Sequence, residues 1–126
     1  MKTIKTIVVM SSVLLLSCGG ESGASEAVAE STCVTENLSF KADIWPIFEA
    51  NCLPCHNSED YARKADGNLF DGYASVKEKL DEGLIIGNIE HTSGFIKMPY
   101  KKTKIADCDI DKIKAWAKAG ALDNWV

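Results

Sequence analysis

Apolar residues recur at three- and four-residue intervals in three stretches of the chain, and this period predicts amphipathic helices. The first helix is expected between Phe40 and Asn51, where the apolar positions are Ile44, Ile47 and Phe48. Asp43 is a candidate N-cap, and Pro46 falls in the first turn, where its missing N–H group costs nothing. This helix delivers the chain to Cys52.

The second helix is expected to start at Asp71 or Tyr73 and to end at Leu80. Val76 and Leu80 share its apolar face, and Gly83 follows its end.

The third helix has the clearest pattern, starting at Asp107 or Asp109 and stopping at Gly120. Its apolar stripe consists of Ile110, Ile113, Trp116 and Ala117, and its outward lysines are Lys112, Lys114 and Lys118. Acidic residues at the start and lysines towards the end suit the helix dipole. Because no stretch alternates apolar and polar residues over the length of a strand, the sequence predicts an all-α fold with little or no sheet.

A basic and then apolar segment opens the sequence, with Lys2 and Lys5 before about ten mostly apolar residues. The run is roughly half of what a membrane-spanning helix needs, so it predicts a cleaved signal sequence over residues 1–17 rather than a permanent anchor helix. Residues 15–18, Leu-Leu-Ser-Cys, resemble the bacterial lipobox. This resemblance implies lipid attachment to the Cys18 thiol and a mature protein held on a membrane.

Composition divides the remaining chain in two. Residues 18–37 are rich in Gly, Ser, Ala and Glu and are expected to form a flexible tether, which leaves 38–126 as one folded domain. The whole chain has a net charge of −4, which gives no basic excess for binding nucleic acid. We therefore expect no nucleic-acid partner.

One short motif indicates a cofactor, metal or redox function, the segment Cys52-Leu53-Pro54-Cys55-His56. Two thiols at this spacing can add across the two vinyl groups of one haem, and the adjacent imidazole can then ligate its iron. A thioredoxin-like redox pair competes, but the chain lacks the strand–helix alternation of that motif. Structural zinc would need a fourth ligand where no second Cys/His cluster exists, and a plain disulfide leaves His56 unexplained.

Met98 is the candidate for the second axial ligand, because the other two methionines leave with the signal sequence. It precedes Pro99, about forty residues after His56. His91 is the only other histidine and therefore the competing imidazole; otherwise we expect it to be a solvated loop residue. The remaining alternative is that Met98 fills a gap in the core.

In combination these features resemble the small c-type cytochrome domains of bacterial envelope proteins, including the planctomycete-type set. Over about residues 38–123, the resemblance rests on Phe40, Asp43-Ile44-Trp45-Pro46-Ile47-Phe48, the Cys52–His56 motif, Gly94-Phe95-Ile96-Lys97-Met98-Pro99, Ile105 to Asp107, Ile110, Ile113, Lys114, Trp116 and Ala119-Gly120-Ala121. Tyr100 stands where such domains often carry a second proline, and Ala106 where Ser or Thr commonly caps the last helix. We expect Asp107 to serve as that cap.

The resemblance implies a cytochrome c-like helical fold wrapped around one covalent haem c, with the first and last helices packed across each other. Residues that offer apolar material for this contact are Trp45, Phe48, Ile113 and Trp116. Iron ligated by His56 and Met98 has no open site, so we expect an electron carrier and not an enzyme. Cys33 and Cys108 then remain, and in an oxidising compartment we expect them to form a disulfide, with two free thiols as the alternative.

The expected protein is thus a monomeric, lipid-anchored cytochrome of the bacterial cell envelope that exchanges electrons with a protein donor and acceptor. Met98 has lysine neighbours that either attract acidic redox partners or form an ordinary solvated loop: Lys97, Lys101, Lys102 and Lys104. One alternative is a haem-based sensor or redox-enzyme subunit in which Met98 dissociates. Another is a haem-free lipoprotein interaction module.

Overall fold

Helices and turns make up the described part of the chain, residues 32–124 of a computed structural model, and no β-strand occurs within it. The elements are a π-helical turn Phe40–Ile44, α1 Trp45–Asn51, α2 Leu53–His56, α3 Tyr61–Lys64, α4 Tyr73–Asp81, α5 Leu84–Ile89 and α6 Asp107–Lys118. The predicted all-α class is therefore confirmed for these residues. The predicted signal sequence, the lipidation site Cys18 and most of the predicted tether lie outside them.

The first helical segment, which consists of the π-helical turn and α1, covers the predicted range 40–51, but Asp43 is not its N-cap. Ser39 occupies the cap, where its hydroxyl accepts a hydrogen bond from the Ala42 N–H at 3.3 Å. The Asp43 carboxylate instead accepts from the Ser39 N–H at 2.8 Å, so the two side chains each satisfy a backbone N–H group at the helix start. Pro46 lies in the first turn of α1, as predicted.

The second and third predicted helices correspond to α4 and α6. Gly83 and Gly120 follow them with φ of 74° and 100°, a left-handed conformation that favours glycine. The predicted cap of α6 is wrong, because Ala106 holds the N-cap position without a side-chain bond and Asp107 is the first helical residue. Its carboxylate pairs with Lys104 at 3.1 Å instead.

The core forms where the first helical segment meets α6. Its fully buried side chains are Trp116, Phe40, Phe48, Ile44, Ile113 and Val76. The Phe40 ring lies 5.4 Å from Trp116 and 5.3 Å from Tyr73, measured between centroids, and these contacts join the π-helical turn to α6 and α4. Trp45 is only partly buried and packs on the edge of this cluster.

The chain after α6 turns back onto the start of the domain. Asn124 accepts a hydrogen bond from the Phe40 N–H at 2.7 Å and donates to the Leu38 carbonyl at 3.0 Å. Tyr73 and Trp116 also donate to backbone carbonyls of this segment, at 2.8 and 3.0 Å. The two ends of the domain are therefore held together by these hydrogen bonds. Phe48 of α1 and Ile113 of α6 also line a cavity.

Candidate functional site

Cys52, Cys55 and His56 are presented by a continuous helical path from α1 into α2. The Cys52 N–H donates to the Phe48 carbonyl at 2.8 Å, and the Cys52 carbonyl accepts from the His56 N–H at 3.0 Å. Spacings of three and four residues place side chains on one side of a helix, so both sulfur atoms and the imidazole are directed to a common region. Pro54 is tolerated here because it lies in the first turn of α2.

The imidazole of His56 is held in one orientation by the segment between α3 and α4. Its Nδ1 lies 2.8 Å from the carbonyl oxygen of Asn68, and since a carbonyl only accepts, Nδ1 carries the proton. The same segment donates the Phe70 N–H to the His56 carbonyl at 2.8 Å. The Phe70 ring lies 4.8 Å from the imidazole between centroids. Nε2 is consequently the nitrogen with a free lone pair, which is the arrangement common in metal-ligating histidines.

The two thiols differ in their surroundings. Cys52 is partly buried, and burial raises the pKa of its thiol to about 12. Cys55 is exposed. In the absence of a bound group, the Cys52 sulfur is therefore a protonated thiol over the physiological range.

A cavity of about 640 Å³ opens beside these residues. Its wall includes Cys52, Cys55, His56 and Met98, together with the buried apolar side chains Phe48, Phe70, Ile85, Ile89, Ile105 and Ile113. Its volume lies within the range of roughly 300–1,000 Å³ typical of small-molecule and cofactor sites, which are mostly apolar with a few placed polar groups. The fold thus brings Met98 to the same cavity as the cysteine–histidine motif.

Met98 is fixed through its backbone. Its N–H donates to the Asn88 carbonyl at 3.0 Å, and its carbonyl lies 2.9 Å from Nε2 of His91. His91 differs from the solvated loop residue expected from the sequence, since it is partly buried and engaged in this contact. Among the described residues that line the cavity, Met98 is present and His91 is not.

The lysines predicted to surround the ligand are only partly at the cavity. Lys102 lines it, whereas Lys97 and Lys101 are exposed and lie outside its wall. Lys64 and Lys79 also line it, from α3 and α4, although nothing in their sequence positions pointed there. Lys64 is paired with Asp60 at 2.7 Å and Lys79 with Glu82 at 3.0 Å.

Cys33 and Cys108 lie at disulfide distance, with their sulfur atoms 2.07 Å apart. The pair connects the segment before the first helical turn to α6, between positions 75 residues apart in sequence. Formation of this bond in the protein stays a prediction to be tested by peptide mapping.

Sequence reasoning missed the groups that orient the candidate ligands. Asn68 and Asn88 act through backbone carbonyls, which carry no sequence signature, and His91 acts on Met98 only because the chain turns back after α5.

Within residues 32–124, no group of three or more His, Cys, Asp and Glu side chains converges as a metal site. No helix in that range is long and apolar enough to span a membrane. Comparison with protein-family models, with curated proteins and with solved structures finds no match to this chain.

Proposed function

We propose that this chain is a single-haem c-type cytochrome that carries electrons between redox partners in the bacterial cell envelope. The observation that carries the proposal is the convergence of Cys52, Cys55, His56 and Met98 on one apolar cavity, although Met98 lies about forty residues beyond the motif. Two thiols, an imidazole and a thioether are the side chains that a covalently bound, six-coordinate haem needs.

The site fits that cofactor in three independent respects. Its volume of about 640 Å³ is in the range of cofactor sites. Its walls are mainly aliphatic and aromatic, as a flat apolar macrocycle requires. Nδ1 of His56 is already committed to the Asn68 carbonyl, which leaves Nε2 as the ligating nitrogen.

Each residue then has a defined role. Cys52 and Cys55 would hold the haem as thioethers, and His56 and Met98 would ligate its iron. The Asn68 carbonyl fixes the tautomer of His56 and raises the basicity of its Nε2. Bound haem supplies a reversible one-electron couple, whose potential a thioether ligand raises.

Electron transfer is favoured over substrate chemistry because the chain offers ligands for both axial positions. If His56 and Met98 both ligated the iron, no coordination position would remain for a substrate. The fold is proposed to be cytochrome c-like, supported by contact between the first helical turn and α6 through Phe40 and Trp116.

Location and partners follow from the N-terminal sequence and from surface charge. Export with lipidation at Cys18 would place the domain outside the cytoplasmic membrane, where bacteria attach haem to proteins, on a membrane anchor. The exposed Lys97, Lys101 and Lys102 near Met98 in sequence would favour an acidic donor or acceptor. Electron exchange with such a partner should then slow as ionic strength rises, and a rate independent of salt would argue against steering.

The test is a visible spectrum of the oxidised and reduced protein, purified from a host competent in haem attachment and recorded with and without carbon monoxide. We expect a long-wavelength methionine-to-iron charge-transfer band in the oxidised form and no change of the reduced spectrum by carbon monoxide. Met98→Ala should lose the band and bind carbon monoxide, which makes it the matched control. Carbon monoxide binding by the unaltered protein would favour the sensor or enzyme alternative, and a bis-imidazole spectrum would transfer the ligand role to His91.

A further inference from the structure

We infer that His91 is a positioning residue that holds Met98 at the cavity and so governs how readily another ligand displaces its thioether. The inference rests on the proposed function, in which Met98 is the sixth ligand. It assigns to the second histidine of the domain a role other than iron ligation.

The contact that carries the inference lies on the Met98 backbone. Nε2 of His91 is 2.9 Å from the Met98 carbonyl oxygen, and because that oxygen only accepts, Nε2 is the donor. On its other side, the Met98 N–H donates to the Asn88 carbonyl at 3.0 Å. Met98 is therefore bonded through both of its peptide groups to one short stretch of chain, the end of α5 and the turn after it.

That stretch is itself well anchored. The His91 N–H donates to Asn88 at 3.3 Å, and Thr92 N–H donates to the Gly87 carbonyl at 3.0 Å, so the turn after α5 is closed by backbone bonds. Glu90, adjacent to His91, pairs with Lys114 of α6 at 2.5 Å. The intervening residues 92–97 are exposed, although the Phe95 ring lies against Gly87 of α5. Two hydrogen bonds of the Met98 peptide groups thus add to this ring contact in holding the segment on α5.

The consequence concerns competition at the sixth position. In this proposal the thioether gives way to an external ligand through a shift of the Met98 backbone, which breaks the hydrogen bond from His91 to the Met98 carbonyl. A net contribution typical of one such bond corresponds to about a fivefold change in the displacement equilibrium. Removal of the hydrogen-bond donor on the His91 side chain should therefore lower the concentration of external ligand needed for half-displacement about fivefold.

Two substitutions of His91 separate the effect of its hydrogen bond to Met98 from the effect of its left-handed backbone conformation. His91 has φ of 59°, a left-handed conformation that asparagine tolerates well. His91→Asn keeps that tolerance but is too short to place a donor where Nε2 stands, whereas His91→Gln can present its amide N–H at a similar distance. Thr92→Ala, at an exposed neighbouring position, is the matched control.

The experiment titrates each oxidised holoprotein with imidazole and follows loss of the methionine charge-transfer band, alongside urea unfolding of the same samples. We expect half-displacement of His91→Asn at about one fifth of the imidazole concentration needed for the unaltered protein, with His91→Gln restoring most of the difference and Thr92→Ala showing none. Equal imidazole midpoints for His91→Asn and the unaltered protein would overturn the inference. So would no restoration by His91→Gln, or an imidazole effect that only parallels lost global stability. Absence of the band from the unaltered protein would instead overturn the methionine ligation on which the inference rests.

Discussion

Gly87 offers a sharp test of how the segment that carries Met98 packs on α5. A Cβ added at this position would lie 2.4 Å from Cδ1 and Cε1 of Phe95 and 2.6 Å from its Cγ. Carbon atoms in good contact are about 3.5–4.0 Å apart, so the ring has to move by about 1 Å or more. Because Cγ is among the clashing atoms, rotation of the ring about its own axis does not relieve the contact.

Two opposing effects set the magnitude for Gly87→Ala. Alanine is favoured over glycine within a helix by about 1 kcal/mol, whereas overpacking costs about 1–3 kcal/mol. Phe95 is 39% exposed, so its ring has room to yield and the cost lies below the upper end of that range. We therefore expect Gly87→Ala to lower the free energy of unfolding by up to about 2 kcal/mol.

The effect of Gly87→Ala on the free energy of unfolding should change sign when the Phe95 ring is removed. A Phe95→Ala background removes the ring atoms that clash with the added methyl group, and Gly87→Ala should then stabilise the protein by about 1 kcal/mol. Urea denaturation of the four proteins of this double-mutant cycle measures both values and their coupling, expected at about 1–3 kcal/mol. Equal stabilisation by Gly87→Ala in both backgrounds would refute the close packing of Phe95 on α5.

Three further predictions concern the thiols and the ends of the domain. In protein lacking haem, iodoacetamide at pH 8 should alkylate the exposed Cys55 at least about tenfold faster than Cys52, because burial raises the pKa of the Cys52 thiol to about 12 and leaves little thiolate. Peptide mass spectrometry measures the two rates, and equal rates would contradict the prediction. Asn124→Ala should lower the free energy of unfolding by about 1–3 kcal/mol, because its side chain no longer bonds the Phe40 N–H and the Leu38 carbonyl. An unchanged urea midpoint would count against this contribution. If non-reducing peptide mapping finds Cys33 and Cys108 linked, replacement of both by serine should lower the free energy of unfolding by up to about 4 kcal/mol, because the bond closes a loop of 75 residues. Two alkylatable thiols would remove the basis of the prediction.

The sequence allowed prediction of those helices whose apolar period is long enough to be distinctive. For α6, the spacing of Ile110, Ile113 and Trp116 with Gly120 at the end left little choice, and all three side chains are buried as expected. α5 was not predicted, because its short apolar run fits a strand as well as a helix and Gly87 weakens the helical preference. Only the tertiary position of Phe95 explains why glycine stands there.

The candidate site, like the fold, could be predicted from the sequence only in part. Side-chain chemistry identified Cys52, Cys55, His56 and Met98 from the sequence, and the structure places all four at one cavity. The groups that orient them, such as the Asn68 carbonyl, belong to the backbone and depend on long-range folding. Asp43 was misassigned as a cap for a related reason, since Ser39 and Asp43 both suit the position and only the helix start decides between them.

The central claim is that haem becomes covalently bound through two thioether bonds. Its most direct measurement is the intact mass, under denaturing conditions, of protein made in a host competent in haem attachment, compared with a Cys52→Ser/Cys55→Ser variant from the same host. We predict a mass increased by one haem for the unaltered protein and no increase for the variant. An unaltered protein that leaves this host without the added mass would contradict the account.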